Sequence, residues 1–219
     1  MSDPMVVAID GPSGSGKSTA AREVARRLSL AYLDTGAMYR AVTCEFLRSG
    51  LDAEDRDGIV ALATNSDLRI ATDPDAPRVT INGHDVTLAI REPEVSAHVS
   101  VVAAVPAVRQ FLSATMRETI AAHGRRIVVE GRDITTAVAP DAEVRVLLIA
   151  DPQARVARRR AELGERVDEA AVTDQVIRRD RDDSTVANFT DAADGVVVID
   201  STHLSVDQVV SRIIALARG

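Results

Sequence analysis

Two hydrophobic periods take turns along the chain. Residues 5–9 (MVVAI) form a short apolar run closed by Asp10 and Gly11, the pattern of a buried strand. From 18 to 30, Ala21, Val24, Ala25 and Leu28 recur at helical spacing. Strand, glycine-rich turn and helix thus follow one another within the first 30 residues. Residues 31–33 read as a short strand. Residues 36–49 read as a helix with Met38, Val42, Phe46 and Leu47 on one side, stopped by Gly50.

The pattern then changes. Residues 68–72 and 78–81 alternate with period two, and Asn82-Gly83 is a strong hairpin turn. A small antiparallel insert is expected over about 67–88, within a larger insert spanning 60–105. Residues 92–102 and 106–123 read as helices, with Pro106 opening the second. Residues 126–130 and 143–150 read as strands. Residues 151–163 and 168–182 read as charged helices, and 164–169 as the connection most able to move. The last strand is expected at 196–200. The last helix, 205–218, opens with a Ser205/Gln208 capping box. Strands alternating with helices imply an α/β fold whose parallel sheet is covered on both faces. One domain over 1–219 is expected, since domains hold roughly 100–200 residues.

Composition removes several classes of function. The chain has 219 residues, 46% of them hydrophobic and 27% charged, which suits a globular core rather than disorder. The longest run without Asp, Glu, Lys or Arg is the 14 residues 95–108, short of the ~20 that cross a bilayer. No basic segment precedes the first apolar run, so it does not read as a signal peptide. The lone Cys44 allows no internal disulfide and fits a reducing compartment, so the cytoplasm is expected. A net charge of −7 argues against a general nucleic-acid binder. Nothing demands an oligomer, and a monomer is the default expectation. Of 26 basic residues, Lys17 is the single lysine, and it falls inside GPSGSGKST.

That segment carries the first chemistry. Gly11-Pro12-Ser13-Gly14-Ser15-Gly16-Lys17-Ser18 satisfies G-x-x-x-x-G-K-[ST] in full, and Thr19 completes the stretch expected to bind ATP. Glycines let the backbone curl so that its N–H groups face phosphate oxygens, and the following helix adds its positive end. Lys17 can reach the β- and γ-phosphates, and Ser18 can offer its hydroxyl to Mg²⁺. A dinucleotide fold fits poorly, because Thr19 stands where glycine or alanine is required. A guanine-nucleotide switch needs a lysine in its base-reading segment, and the only lysine is already used. The loop alone leaves kinases, non-catalytic ATP-binding switches and assembly ATPases open.

Arginine narrows the choice. Phosphoryl transfer between nucleotides must neutralise two phosphate chains, and a permanently charged, forked guanidinium suits that task. Arg155, Arg158 and Arg159 share one helical face just before the expected mobile connection, where a short lid over 155–170 would sit.

GPSGSGKST, Leu33-Asp-Thr-Gly-Ala-Met-Tyr39-Arg40, Glu130-Gly-Arg-Asp133, Pro140-Asp-Ala142 and Arg179-Asp-Arg-Asp-Asp183-Ser184 together resemble the bacterial cytidylate kinases, in order and spacing from about Met5 to Arg218. The resemblance implies an adenylate-kinase-like P-loop fold with a five-stranded parallel sheet, a nucleotide-binding insert and a short lid. It implies ATP-dependent phosphorylation of CMP, and of dCMP, with Mg²⁺. Residue by residue, it puts Arg40 and Arg132 on the acceptor phosphate. Ser100, Arg109 and Asp133 fall on the cytosine, Arg179 and Asp183 on the sugar, and Lys17, Arg158 and Arg159 on the transferring phosphoryl. Cytosine chemistry agrees: a carboxylate accepts from N4, while Ser and Arg donate to N3 and O2. Thr135 stands where the family often has glycine, and Val186 where it often has arginine; residues 187–191 also depart from the usual segment. Asp34 is expected to cap the helix that follows it, and Tyr39 to pack. A kinase for UMP or another small metabolite is the alternative within the class.

Overall fold

β1 (Met5–Asp10) is apolar on both sides because it is the middle strand of a sheet covered on both faces. In the computed structural model, which describes residues 3–163, 181, 184, 187, 189 and 191–218, β1 is flanked by β6 (Arg126–Gly131) and β7 (Val144–Ile149). Outside these lie β2 (Ala31–Asp34) and β8 (Val197–Asp200). The order is β2-β6-β1-β7-β8, and every pairing is parallel. Strand alternation divides the core in two. Val6, Ala8, Ile127 and Val129 face one layer; Val7, Ile9, Val128 and Val146 face the other.

α1 (Lys17–Leu28) and α7 (Val206–Leu216) cover the second layer. Both bonds of the Ser205/Gln208 capping box are present at the start of α7. α2 (Thr35–Ser49), α4 (Pro93–Ala103) and α5 (Pro106–Ala122) cover the first. Asp34 does cap α2, accepting from Ala37 N at 2.9 Å. α4 and α5 are bent by 102° at their junction, and no single described helix is long and apolar enough to cross a membrane. Between α2 and α4 lies a three-stranded antiparallel sheet of β3 (Leu68–Ile70), β4 (Val79–Ile81) and β5 (His84–Asp85). Asn82 and Gly83 make its hairpin turn with φ of 50° and 79°, the positive φ pair that tight hairpins favour. Val79 and Ile81 dock the small sheet onto the first core layer.

One helix departs from the sequence expectation. α3 (Arg56–Asn65), capped by Asp55, runs where the sequence pattern suggested no element. It buries only Ile59 and Ala63, an i, i+4 pair too short to establish a period. α6 (Pro152–Leu163) matches the expected charged helix. The expected helix at 168–182 and the connection at 164–169 lie outside the described residues, except Arg181.

Register decides where chemistry collects. Asp10 pairs with Gly131, and Asp34 with Glu130. The carboxyl ends of β1, β2 and β6 therefore lie side by side, and the segments that leave them start from one rim. In open parallel sheets such a rim, at the point where strand order reverses, is the usual ligand site.

Candidate active site

The phosphate loop is squeezed between β7 and α6. At Gly11 (φ 150°) a Cβ would lie 2.1 Å from the Leu148 carbonyl oxygen. At Gly14 (φ 74°) it would lie 2.7 Å from that of Arg155. Only glycine fits both conformation and space. Gly16 (φ 90°) caps α1 without a side chain, so the helix's first amides face the loop interior, where an anion is favoured. Lys17 Nζ donates to Pro12 O at 2.9 Å, which folds the lysine back over its own loop. The loop is braced from outside. Arg155 Nη1 donates to Ser13 O at 3.0 Å, and Ser201 Oγ to Ser15 O at 3.0 Å.

Behind the loop lies a buried acid, the first residue of the Glu130-Gly-Arg-Asp133 segment, to which the resemblance assigned no role. Glu130, 4% exposed, accepts from Ser18 Oγ at 2.6 Å and from Tyr32 Oη at 3.2 Å. Burial pushes its carboxyl above the ordinary carboxylate range; the Asp34 charge adds to this, and Lys17 and the Ser18 hydroxyl oppose it. Burial and the Glu130 charge likewise push the Tyr32 phenol up, keeping it a neutral donor. A hydroxyl beside a carboxylate is an oxygen donor pair for a hard divalent cation. No group of three or more His, Cys, Asp or Glu side chains forms a metal site among the described residues. That combination fits Mg²⁺, which keeps waters and takes substrate phosphate oxygens rather than a full protein cage.

Arg40 reaches from α2 to within 3.6 Å of Asp34 Oδ2, and its buried Nε has no hydrogen-bond partner among the described residues. The loop after β6 carries Arg132 and Asp133. Arg132 Nη1 donates to Gly11 O. Arg109, from α5, pairs with Asp133 Oδ2. Tyr39 is largely buried, packs on the first core layer and sits near this pair. Burial pushes its phenol up to about 12, the Arg109 charge opposes the rise and the Asp133 charge adds to it. Ser100 is half-buried near the end of α4.

Asp10 ties the end of β1 to the segment that follows β6. It is 2% exposed and accepts from Ile134 N at 2.9 Å, Thr135 N at 2.8 Å and Thr135 Oγ1 at 2.7 Å. Burial pushes its carboxyl above the ordinary range, and these donors oppose the rise. Thr135, in place of the glycine often found in the resembled family, thus adds a side-chain donor to this carboxylate. Neither Asp10 nor Glu130 was singled out as a site residue from sequence. The available signal was an acid closing an apolar strand, which is also the commonplace end of a strand.

Two arginines of α6, Arg155 and Arg158, reach carbonyls of the phosphate loop. Arg158 donates to Ser201 Oγ at 3.0 Å, Ser201 O at 2.6 Å, and Ser15 O and Thr202 O at 3.4 Å. It braces the back of the phosphate loop. Arg159 is half-buried on the same helix. Arg179 and Asp183 lie outside the described residues.

Fold and loop together define a P-loop protein of the α/β class. The fold likeness extends to a gluconokinase from Sinorhizobium meliloti 1021, at a TM-score of 0.51 and 14% identity over 98% of this chain and 93% of that one. The sequence profile of the family described as cytidylate kinase matches residues 7–219. A cytidylate kinase from Cutibacterium acnes is 58% identical over 215 residues, covering 97% of this chain and 96% of the relative. One from Streptomyces griseus is 44% identical over 216 residues, covering 98% and 93%. The chain belongs to the cytidylate kinase family and is an enzyme.

Proposed function

We propose that the protein transfers the γ-phosphoryl group of ATP to CMP and dCMP, giving ADP and CDP or dCDP, as a monomer in the cytoplasm. The reading is carried by the pairing of Arg109 with Asp133. These residues, from separate elements, are two of the three that the resemblance assigns to cytosine, and they meet beside the phosphate loop. Asp133 accepts from the N4 amino group; Arg109 and Ser100 donate to N3 and O2. Arg40 and Arg132 hold the acceptor phosphate in line, Arg179 and Asp183 hold the sugar, and Lys17 and Arg159 neutralise the transferring group. Arg158 contributes charge from behind the loop.

Ser18, with Glu130 beside it, would hold Mg²⁺, which when bound neutralises charge on the β- and γ-phosphates. An oxygen of the CMP phosphate forms the new P–O bond as the bond between the γ-phosphorus and the β–γ bridging oxygen breaks. The bonding pair leaves with ADP. No general base is required, because the acceptor oxygen is already ionised at neutral pH.

A panel of nucleoside monophosphates with ATP and Mg²⁺, read as ADP release, tests this. CMP and dCMP should lead. A lead by UMP would favour a uridylate enzyme, and ADP release independent of any acceptor would favour an ATPase or switch.

The base-reading role has its own test. Asp133→Asn should narrow the CMP-over-UMP ratio of kcat/KM by roughly ten-fold, the scale of one charged hydrogen bond of about 1.5–3 kcal/mol. An asparagine amide can donate to uracil O4, where a carboxylate repels it. An unchanged ratio would remove Asp133 from base recognition.

A further inference from the structure

Aromatic residues are scarce in this chain, with three phenylalanines, two tyrosines and no tryptophan. One of them lies under an arginine of the proposed acceptor site. The Arg132 guanidinium carbon stands 4.6 Å from the centroid of the Phe189 ring. Phe189 is 1% exposed, yet among the described residues it belongs to neither apolar core layer. What the structure does set against its face is a cation.

We infer that Phe189 is a positioning residue for Arg132, its ring holding the guanidinium plane at the angle needed to grip the acceptor phosphate. The inference rests on the role proposed above for Arg132. The physical basis is a division of labour within one planar group. A guanidinium stacks through its face and hydrogen-bonds through its edge. A ring under the face therefore restrains the plane while the in-plane N–H groups address oxygens, here Gly11 O and, with substrate bound, the phosphate. Arginine otherwise loses up to about 2 kcal/mol of rotamer freedom on being fixed. An orientation already imposed by the ring removes part of that loss from the binding step.

The test is a double-mutant cycle on CMP binding, measured by calorimetry and by KM. Phe189→Leu keeps an apolar side chain of similar size and removes the ring. It should weaken CMP binding roughly three- to ten-fold, the range of a partly desolvated cation–π contact, with the KM for ATP unchanged. In an Arg132→Ala background the same substitution should change CMP binding less than about two-fold. Phe189→Tyr, which keeps the ring, should restore CMP binding in the Arg132 background. A purely structural role predicts equal losses in both backgrounds and a parallel rise in the KM for ATP, and either result overturns the inference. So does unchanged CMP binding in Phe189→Leu. The two levels fail separately. A wild-type enzyme that phosphorylates CMP while Phe189→Leu binds it normally overturns the positioning role alone. A wild-type enzyme that accepts no nucleoside monophosphate overturns the functional reading and this role with it.

Discussion

Replacing Lys17 with methionine is expected to lower turnover at least ~100-fold, the ~2.7 kcal/mol or more that a lost transition-state charge contact costs, while leaving the fold intact. Methionine keeps most of the length and apolar stem and removes the charge. The structure explains why the fold should survive. Lys17 donates to Pro12 O at 2.9 Å, and the loop's shape is held by Gly11, Gly14 and the braces from Arg155 and Ser201. Circular dichroism and thermal melting should match wild type, and steady-state ADP release should not. A variant keeping more than about a tenth of wild-type activity would remove Lys17 from the chemistry.

Glu130→Gln should separate stability from activity in the opposite direction to most core substitutions. Glutamine preserves shape and can still accept from Ser18, but it carries no charge. Burial, then the Asp34 charge, raise the Glu130 carboxyl above its ordinary range. A carboxyl with a raised folded-state pKa contributes stability below its unfolded-state pKa, and that contribution is lost as pH rises through the raised value. At neutral pH the wild type therefore bears an ionisation penalty that the glutamine variant escapes. The ligand-free variant should melt at or above the wild-type temperature, and its advantage should grow from acid toward neutral pH. Activity should fall about 10- to 100-fold, as for loss of a group supporting a metal ligand. Stabilisation by ATP with Mg²⁺ should shrink as well. A variant that melts lower at neutral pH, or turns over normally, would contradict this account of Glu130.

The uneven legibility of the site has a physical origin. The phosphate loop can be read directly because its function is a backbone shape, and only certain residues allow that shape: Gly11 and Gly14 have no room for a Cβ. The parallel sheet was legible for a similar reason, since strands buried on both faces must be apolar throughout, as in β1 and β6. Glu130 was harder. Its meaning lies in a contact with Ser18, 112 positions away, which only the register of β6 against β1 and β2 creates. Asp10 hid in the same way, because its three donors come from 134 and 135. α3 was missed because two buried residues do not make a period. Arg109 and Asp133 were legible through family resemblance, not through any local pattern. The bonds of Arg158 to Ser15, Ser201 and Thr202 could not be read from the sequence, because spacing along a helix does not say which neighbour a long side chain will choose.

The Asp10 carboxylate has a mechanical meaning beyond its hydrogen bonds. It closes the strand that begins the phosphate loop, and it grips the segment that follows Arg132 and Asp133; Arg132 in turn reaches back to Gly11 O. The two segments are thus lashed to each other from both directions, and a load placed on either is carried by both, as two planks bolted together bend as one.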